Sequence, residues 1–464
     1  MNLFKQEDTI VALATPKGKS ALAIIRISGK NSFDMVSSVF FDRKNNPIKI
    51  KNKTVHHGYI CTDNKKQLDE VILTYMQSPN SVTGEDVIEI STHGNQIIIQ
   101  SIIKLLLDKG CRLADKGEFT YRAFINNKID LTEAEAVNTL IESKTQKSVE
   151  LSLNSLQGSL SNKIKEIKEE LINLFAYLEV SLDYPHEDID FLSRREKEES
   201  LKKIISKTEE VIRSYSVTQA LTDGIKIAII GKPNAGKSSL LNSIVGYQRA
   251  IVTDIEGTTT DTIEETVEYK GIPFTIIDTA GIRHHTANMI EKLGQERTGN
   301  SIKNADIILW VIDINSKIDD NDATIRNLLN KKLDKTIIVL TKSDLPHKIS
   351  SDSVKNFCSA KEIILYSCLT DNNIDKILNS VYSAGQFENL ETDSTILLNT
   401  RQYNLICRFK ESLETTFNLT VKGDSDEIVS FETQTALDIL NEILGIDIKD
   451  DIASTIFSKF CIGK

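Results

Sequence analysis

The segment Gly231-Lys232-Pro233-Asn234-Ala235-Gly236-Lys237-Ser238 fits the pattern G-x-x-x-x-G-K-[ST], directly after the apolar run Ile225 to Ile230 and directly before the helical run Ser239 to Val245. That order is the context of a phosphate-binding loop. Glycines let the backbone turn so that its N–H groups surround phosphates at a helix N-terminus, Lys237 brings charge to the β and γ groups, and the Ser238 hydroxyl suits Mg2+. Three further segments follow in the order that a guanine-nucleotide switch requires. Gly257-Thr258-Thr259 lies in a polar loop, where a threonine, here Thr259, can reach Mg2+ only while the γ-phosphate is present. Asp278-Thr279-Ala280-Gly281 ends the strand pattern Phe274 to Ile277, so Asp278 suits a water-mediated contact to Mg2+ and Gly281 a backbone contact to the γ-phosphate. Thr341-Lys342-Ser343-Asp344 follows the strand pattern Thr336 to Leu340 and puts a carboxylate where guanine offers N1–H and N2–H together. Adenine lacks that donor pair, so GTP rather than ATP is the expected ligand.

Two of these segments are imperfect. Thr341 stands where such sites begin with Asn, so an amide able to tie this loop to the phosphate loop is lost and weaker nucleotide affinity is expected. Ser367-Cys368-Leu369 stands where Ser-Ala-Lys is usual, which keeps backbone N–H groups for guanine O6 but removes a lysine packed on the base. The hydrolytic water also lacks its usual partner. Ras-type proteins orient it with a glutamine after the Asp-x-x-Gly glycine, and here that residue is the apolar Ile282. Arg283, His284, His285 and Glu291 in the following loop are the candidates. His284-His285 reads as a solvated pair, since sequence neighbours rarely converge on one metal and no carboxylate or Cys cluster accompanies them.

The elements that must position these residues are legible in the periodicity. Short β-type runs at Ile10 to Leu13, Ala21 to Ile27, Val71 to Met76 and Val87 to Ser91, with a helical run Ile97 to Leu107, predict an α+β domain. Leu153, Leu156, Leu160, Ile164, Ile167, Leu171, Leu174 and Leu178 predict one long amphipathic helix, and a charged helical stretch follows from Arg194 to Tyr215. A β/α alternation runs from Ile225 to about Ser383, after which helical spacing returns at Leu405, Phe409 and Leu413 and again at Leu437, Leu440 and Leu444. A lone apolar stripe cannot stay in water, so the helices before and after the α/β block are expected to pack on each other, with the block inserted between them. The predicted architecture is multidomain: an α+β N-terminal domain over 1–120, an all-α helical domain in two parts over 121–220 and 385–464, and an inserted α/β P-loop (Ras-like) G domain over 221–384.

Length and composition agree. At 464 residues the chain is expected to form roughly three domains of about 150 residues each. Apolar stretches such as Ile307 to Ile312 fall far below the ~18 residues needed to span a bilayer. The formal charge of -10 repels polyanions, so any nucleic acid must be met by a local basic patch or with a partner. Cys61, Cys111, Cys358, Cys368, Cys407 and Cys461 are scattered without a C-x-x-C pair, which argues against a disulfide framework or zinc cage. With no basic leader before Thr9 to Ala14, a cytoplasmic location is expected.

The whole pattern resembles the tRNA modification GTPase MnmE (TrmE) family over essentially all 464 residues. The segments that carry the resemblance include Asp8-Thr9-Ile10-Val11-Ala12, Arg26-Ile27-Ser28-Gly29, Ser81-Val82-Thr83-Gly84-Glu85-Asp86, Gly117-Glu118-Phe119-Thr120, Asn127-Lys128-Ile129-Asp130-Leu131 and Asn154-Ser155-Leu156-Gln157-Gly158. Gly231 to Leu241, Thr253-Asp254-Ile255-Glu256-Gly257-Thr258-Thr259 and Phe460-Cys461-Ile462-Gly463-Lys464 complete the set, the last being the most specific.

The resemblance implies an enzyme that couples GTP hydrolysis to adding an aminomethyl or carboxymethylaminomethyl group at C5 of the wobble uridine, position 34, of certain tRNAs. It implies a flavoprotein partner of the MnmG (GidA) type and a homodimer formed by the N-terminal domain. It implies a 5-formyl- or methylene-tetrahydrofolate held there by Arg26, Glu85, Lys128 and Lys464. Arg26 and Lys128 suit the glutamate-tail carboxylates and Glu85 the pterin donors, although Arg26 paired simply with Glu85 is an alternative. For the nucleotide the implied contacts are Asn234 to Ser239, Thr253 to Thr259, Asp278 to Gly281, Thr341, Lys342, Asp344 and Ser367 to Leu369. Potassium stands in for an arginine finger, with Asn234, Thr253, Ile255 and Thr258 as implied ligands and Glu291 as the implied general base. The family's Gly-Thr-Thr-Arg-Asp becomes Gly257-Thr258-Thr259-Thr260-Asp261, without the arginine. Cys461 reads two ways, as a reactive thiolate or as a small apolar plug beside Phe460. The competing function is a nucleotide-switched ribosome-assembly or signalling GTPase without modification chemistry, which would have no use for Cys461 or the folate set.

Overall fold

The computed structural model describes residues 8–183, 192–247, 265–277, 299, 301–329, 332–358, 362–370, 373–385, 396–446, 448 and 450–464. Contacts divide the chain into two compact units, one of residues 1–138, 154–208 and 404–464, the other of 139–153 and 209–403.

The first unit is built on a seven-stranded sheet of order β3-β4-β5-β6-β2-β1-β7. Its strands are β1 (Ile10–Leu13), β2 (Leu22–Ser28), β3 (Phe40–Phe41), β4 (Val55–Cys61), β5 (Gln67–Met76), β6 (Val87–His93) and β7 (Arg112–Leu113). All neighbours run antiparallel except β1 and β7. Alternation along β2 sends Ala23, Ile25 and Ile27 into a core shared with the helix Gln96–Asp108, whose Ile99, Ile102 and Leu106 are buried. The intervening Arg26 and Ser28 therefore share the opposite face.

The helical stretch around Gly158 corrects one expectation. The stripe from Leu153 to Leu178 is two helices, Gln146–Leu156 and Ser159–Asp183, parted at Gly158, which sits at φ +86°. Leu153 is left exposed, whereas Leu160, Ile164, Ile167, Leu171, Leu174 and Leu178 are all buried. Each such side chain contributes about 2 kcal/mol relative to exposure, so the uninterrupted stripe belongs to the second helix. That helix packs on Asp426–Leu444, which lies beyond the α/β block in sequence. Ser181 Oγ donates to Asp426 at 2.8 Å, Lys197 Nζ pairs with the same carboxylate at 2.7 Å, and Ser430 Oγ donates to Glu179. The charged stretch runs further than its periodicity predicts, as Arg194–Thr222.

The second unit is built on a six-stranded sheet of order β13-β12-β11-β8-β10-β9. Its strands are β8 (Ile225–Ile230), β9 (Glu265–Tyr269), β10 (Ile272–Ile277), β11 (Ile307–Asp313), β12 (Thr336–Thr341) and β13 (Glu362–Leu365). All pairs are parallel except β9 with β10. Parallel strands covered on both faces read as unbroken apolar runs, and β8 shows why: Ile227 and Ile229 enter one core while Ala228 and Ile230 enter the other. The strand order reverses beside β8, so the crevice at the carboxyl ends of β8, β11 and β12 is where a ligand of such a sheet binds.

Candidate functional site

The phosphate loop joins the carboxyl end of β8 to the helix Lys237–Tyr247. Gly231 sits at φ +151°, and a Cβ there would stand 2.3 Å from the Val311 carbonyl oxygen, so no larger residue fits against β11. Asn234 adopts a left-handed φ of 61°, a conformation its short amide tolerates, and Ala235 is buried beneath it. Ser238 and Ser239 follow Lys237 in the first helical turn, where the aligned backbone dipoles gather positive charge. Lys237 Nζ donates to the carbonyl oxygens of Gly231 at 2.8 Å and Lys232 at 2.6 Å. Burial pulls its ammonium down to about 8. A half-buried cation held, among the described residues, by carbonyl dipoles is matched to an anion, and the donor set here suits the β and γ phosphates. The start of the loop is pinned by Lys232, whose Nζ reaches Asp319 at 3.1 Å and the buried Asp322 at 2.7 Å.

On the base side the structure overturns the expected loss at Thr341. Its Oγ1 donates to the Ala235 carbonyl at 2.6 Å and lies 3.2 Å from that of Ile312, so a buried hydroxyl makes the tie to the phosphate loop that an amide was expected to make. Lys342 turns through φ 58° and its Nζ pairs with Asp313 at 2.6 Å. Ser367 Oγ donates to Asp344 Oδ1 at 2.5 Å and accepts from Leu369 N at 3.2 Å and Thr370 N at 3.4 Å. One serine thus fixes the Asp344 carboxylate and the turn through the exposed Cys368 and Leu369, and Asp344 Oδ2 suits a further donor. Tyr366, beside it, donates its hydroxyl to Ser243 on the loop's helix at 2.6 Å, a tie that no motif spacing announces.

Thr253, Asp254, Ile255, Glu256, Gly257, Thr258, Thr259, Thr260, Asp261, Asp278, Thr279, Ala280, Gly281, Ile282, Arg283, His284, His285 and Glu291 lie outside the described residues. Among the described residues no group of three or more His, Cys, Asp or Glu side chains is arranged to hold a metal ion.

The first unit gathers a second polar cluster. Arg26 pairs with Glu89, its cross-strand partner on β6, at 2.8 Å, and not with Glu85 as the simple alternative had it. Opposite residues on adjacent strands have Cβ atoms about 5 Å apart, closer than any partner in the loop beyond β5. Arg26 Nη1 also donates to the Gly463 carbonyl at 3.3 Å and its guanidinium lies 5.7 Å from the Phe119 ring centre. The segment after Phe460 is docked here: Ile462 forms a β-bridge with Lys116, and Phe119 N donates to the Lys464 carbonyl at 3.2 Å. Cys461 is exposed, which removes its reading as a buried plug. Phe460 fills that role, buried with Tyr121, Leu131 and Phe457.

Glu85 accepts from Ser28 Oγ at 2.7 Å and from Arg122 at 3.1 Å. Lys128 lays its stem along Gly84 and donates to the Pro79 carbonyl at 3.0 Å. The structure therefore sets Arg26 beside the 463–464 backbone, and Glu85 and Lys128 beside neighbouring residues of one loop. Behind them lies an ionic group that the motif reading missed. Glu118, fully buried, binds Arg112 at 2.5 Å and Arg122 at 2.9 Å, and both guanidiniums reach Asp8, at 2.6 and 2.8 Å. Burial pushes the Asp8 carboxyl up, but its hydrogen bonds to Arg112 and Arg122 outweigh this and hold it below the ordinary value. The only signal was the Glu118–Arg122 spacing of four on a helix that is otherwise apolar or small.

Among the described residues no helix is long and apolar enough to cross a membrane. A family model for the MnmE helical domain matches residues 131–461, and one for the GTP-binding protein TrmE N-terminus matches residues 9–128. The chain is 47% identical over 466 residues to the tRNA modification GTPase MnmE of Endomicrobium trichonymphae, covering 100% of both chains. It is 38% identical over 462 residues to the protein of that name from Lactobacillus helveticus, covering 98% of each, and 41% identical over 466 residues to that from Clostridioides difficile, covering 99% of each. With a P-loop on a mostly parallel sheet in one unit, a docked C-terminal strand beside Arg26 in the other, and family matches across 9–128 and 131–461, the chain belongs to the MnmE (TrmE) family of tRNA modification GTPases.

Proposed function

We propose that this chain hydrolyses GTP and uses the hydrolysis to modify tRNA, adding an aminomethyl or carboxymethylaminomethyl group at C5 of the wobble uridine, position 34, together with a flavoprotein of the MnmG (GidA) type. The observation that carries the nucleotide half is the half-buried Lys237 ammonium, held among the described residues by loop carbonyls at the start of a helix. Asn234, Ala235, Gly236, Lys237, Ser238 and Ser239 would hold the phosphates, and Lys342, Asp344 and Ser367 to Leu369 the base, with Thr341 joining the two halves. Ser238 and Thr259 would hold Mg2+. Asn234, Thr253, Ile255 and Thr258 would hold K+, which supplies the positive charge an arginine finger gives elsewhere. Asp254, Glu256, Gly257 and Asp278 to Gly281 complete the nucleotide contacts, and Glu291 is the proposed general base.

For the one-carbon carrier, Arg26, Glu85, Lys128 and Lys464 are the proposed holders of 5-formyl- or methylene-tetrahydrofolate. The donor set supports that chemistry: a guanidinium and an ammonium for carboxylates, and a carboxylate for pterin N–H groups. The exposed Cys461 is available for chemistry beside that group. We place the reaction in the cytoplasm, with a homodimer formed through the N-terminal domain and tRNA bound with the partner, in keeping with the chain's acidity. The proposed domains are 1–120, 121–220 with 385–464, and 221–384.

Nucleoside analysis of tRNA from a deletion strain tests the proposal: the C5 modification of the wobble uridine should vanish and return with the gene, and unaltered modification would reject it. GTPase rates in potassium against sodium test the cation, since equal rates would remove it from the mechanism.

A further inference from the structure

Three carboxylates and two guanidiniums meet between β2, β7, the helix Glu118–Ile125 and the loop Ser81–Asp86. They are not equally neutralised. Asp8 is engaged by both arginines, at 2.6 Å through Oδ2 and 2.8 Å through Oδ1. Glu118 is engaged by both as well, at 2.5 and 2.9 Å, and accepts from Asp115 N at 2.9 Å. Glu85 has only Arg122 Nη1, shared between its two oxygens at 3.2 and 3.1 Å, and the Ser28 hydroxyl at 2.7 Å on Oε2. A carboxylate has about four lone-pair directions, so Oε1, which among the described residues takes only the 3.2 Å contact from Arg122 Nη1, keeps acceptor capacity. Arg122 is itself 4% exposed, and its Nε finds no hydrogen-bond partner among the described residues. Glu118 and Asp8 already neutralise this guanidinium. Its reach to Glu85 adds little to that pairing and instead fixes the loop carboxylate to a rigid helix.

We propose that Arg122 is a positioning residue for pterin recognition: with Ser28 it holds the Glu85 carboxylate in one orientation, so that Oε1 accepts the 2-amino donor of the ring. The inference rests on the reading of Glu85 as a folate residue. Ionisable and charged neighbours of Glu85 are Arg122, Asp8, Glu118 and Arg112 in the cluster, Asp86 beside it in the loop and Lys128 over Gly84. Of these, only Arg122 touches the carboxylate.

The test uses the full-length protein and two probes, 5-formyl-tetrahydrofolate and its 2-desamino counterpart, titrated by calorimetry. Arg122→Met is expected to weaken the parent compound roughly 30-fold while moving the desamino compound less than about threefold, so that the preference for the amino group collapses. Arg122→Lys should recover part of that preference. Ser28→Ala, which removes the other hold on the same carboxylate and leaves the buried guanidinium in place, should shift it in the same direction by roughly threefold. Thermal melting reports whether each variant is folded, and if Arg122→Met is not, Ser28→Ala decides, with an unchanged preference overturning the proposal. A folded Arg122→Met protein with wild-type affinity and preference overturns it too, while leaving the folate reading standing. Absence of any tetrahydrofolate binding by the wild-type protein defeats that reading and the present proposal with it.

Discussion

The two polar sites are built from opposite materials. The phosphate loop is made of main chain: glycine, a left-handed Asn234, carbonyls and helical N–H groups surround one half-buried lysine that has no carboxylate partner among the described residues. The cluster behind Arg26 and Glu85 is made of side chains whose charges are already paired, Arg26 with Glu89, and Arg112 and Arg122 with Glu118 and Asp8. The first site keeps its charge for a ligand. The second uses most of its charge to set the position of a few groups that remain available.

That contrast can be broken by substitution. The largest effect is expected at Lys237: Lys237→Ala should lower GTP turnover by about 10^3-fold or more, measured as phosphate release, while leaving the melting temperature close to wild type, since among the described residues it gives up only hydrogen bonds to two loop carbonyls. A large fall in melting temperature would show that the lysine is structural after all. Glu118→Ala should do the reverse, costing about 3 kcal/mol of stability in a denaturant titration, because two buried or half-buried guanidiniums lose a shared partner. A loss below about 1 kcal/mol would mean that the cluster is solvated and not a frame.

Smaller effects sharpen the picture. With burial pulling Lys237 down to about 8, the ammonium that phosphate requires is present below that pH and lost above it. Bound phosphate raises the same group, so nucleotide binding above pH 8 must take up a proton. The GTP dissociation constant should be flat from pH 6.5 to 7.5 and rise toward tenfold per unit above 8, and a flat profile to pH 9.5 would contradict it. Thr341→Val removes the donor to Ala235 and leaves a buried carbonyl unpaired, which should weaken GTP about tenfold in a fluorescent-nucleotide titration, whereas Thr341→Asn should stay within about threefold. Equal affinities for Thr341→Val and the wild type would show the tie to be idle.

The nucleotide site was legible because its parts are contiguous: a cradle built from backbone needs glycine and small residues at fixed offsets, and those offsets are visible in one line of sequence. The strands β8 and β1 were legible to the residue for a related reason, since unbroken or alternating apolar runs ended at clear turn residues. Thr341 was misjudged because a motif compares side-chain names, whereas the fold asks only for a donor within reach of Ala235. The break at Gly158 was missed because the apolar spacing continues in phase across it, and only the backbone angle separates the helices. Arg26, Glu85, Lys128 and Lys464 are grouped by resemblance alone, since residues so far apart in the chain share no period. The Arg112, Glu118 and Arg122 cluster left almost no trace, because a charged residue on a short helix reads as solvated until its burial is known.

An amine near 8 is also a reagent. With its ammonium pulled down to about 8, Lys237 should lose its charge in mildly alkaline buffer before an ordinary surface lysine does, so electrophiles that acylate or form imines should find this one side chain first. Filling the pocket with nucleotide should shield it, which turns a feature of the resting loop into a direct chemical readout of occupancy.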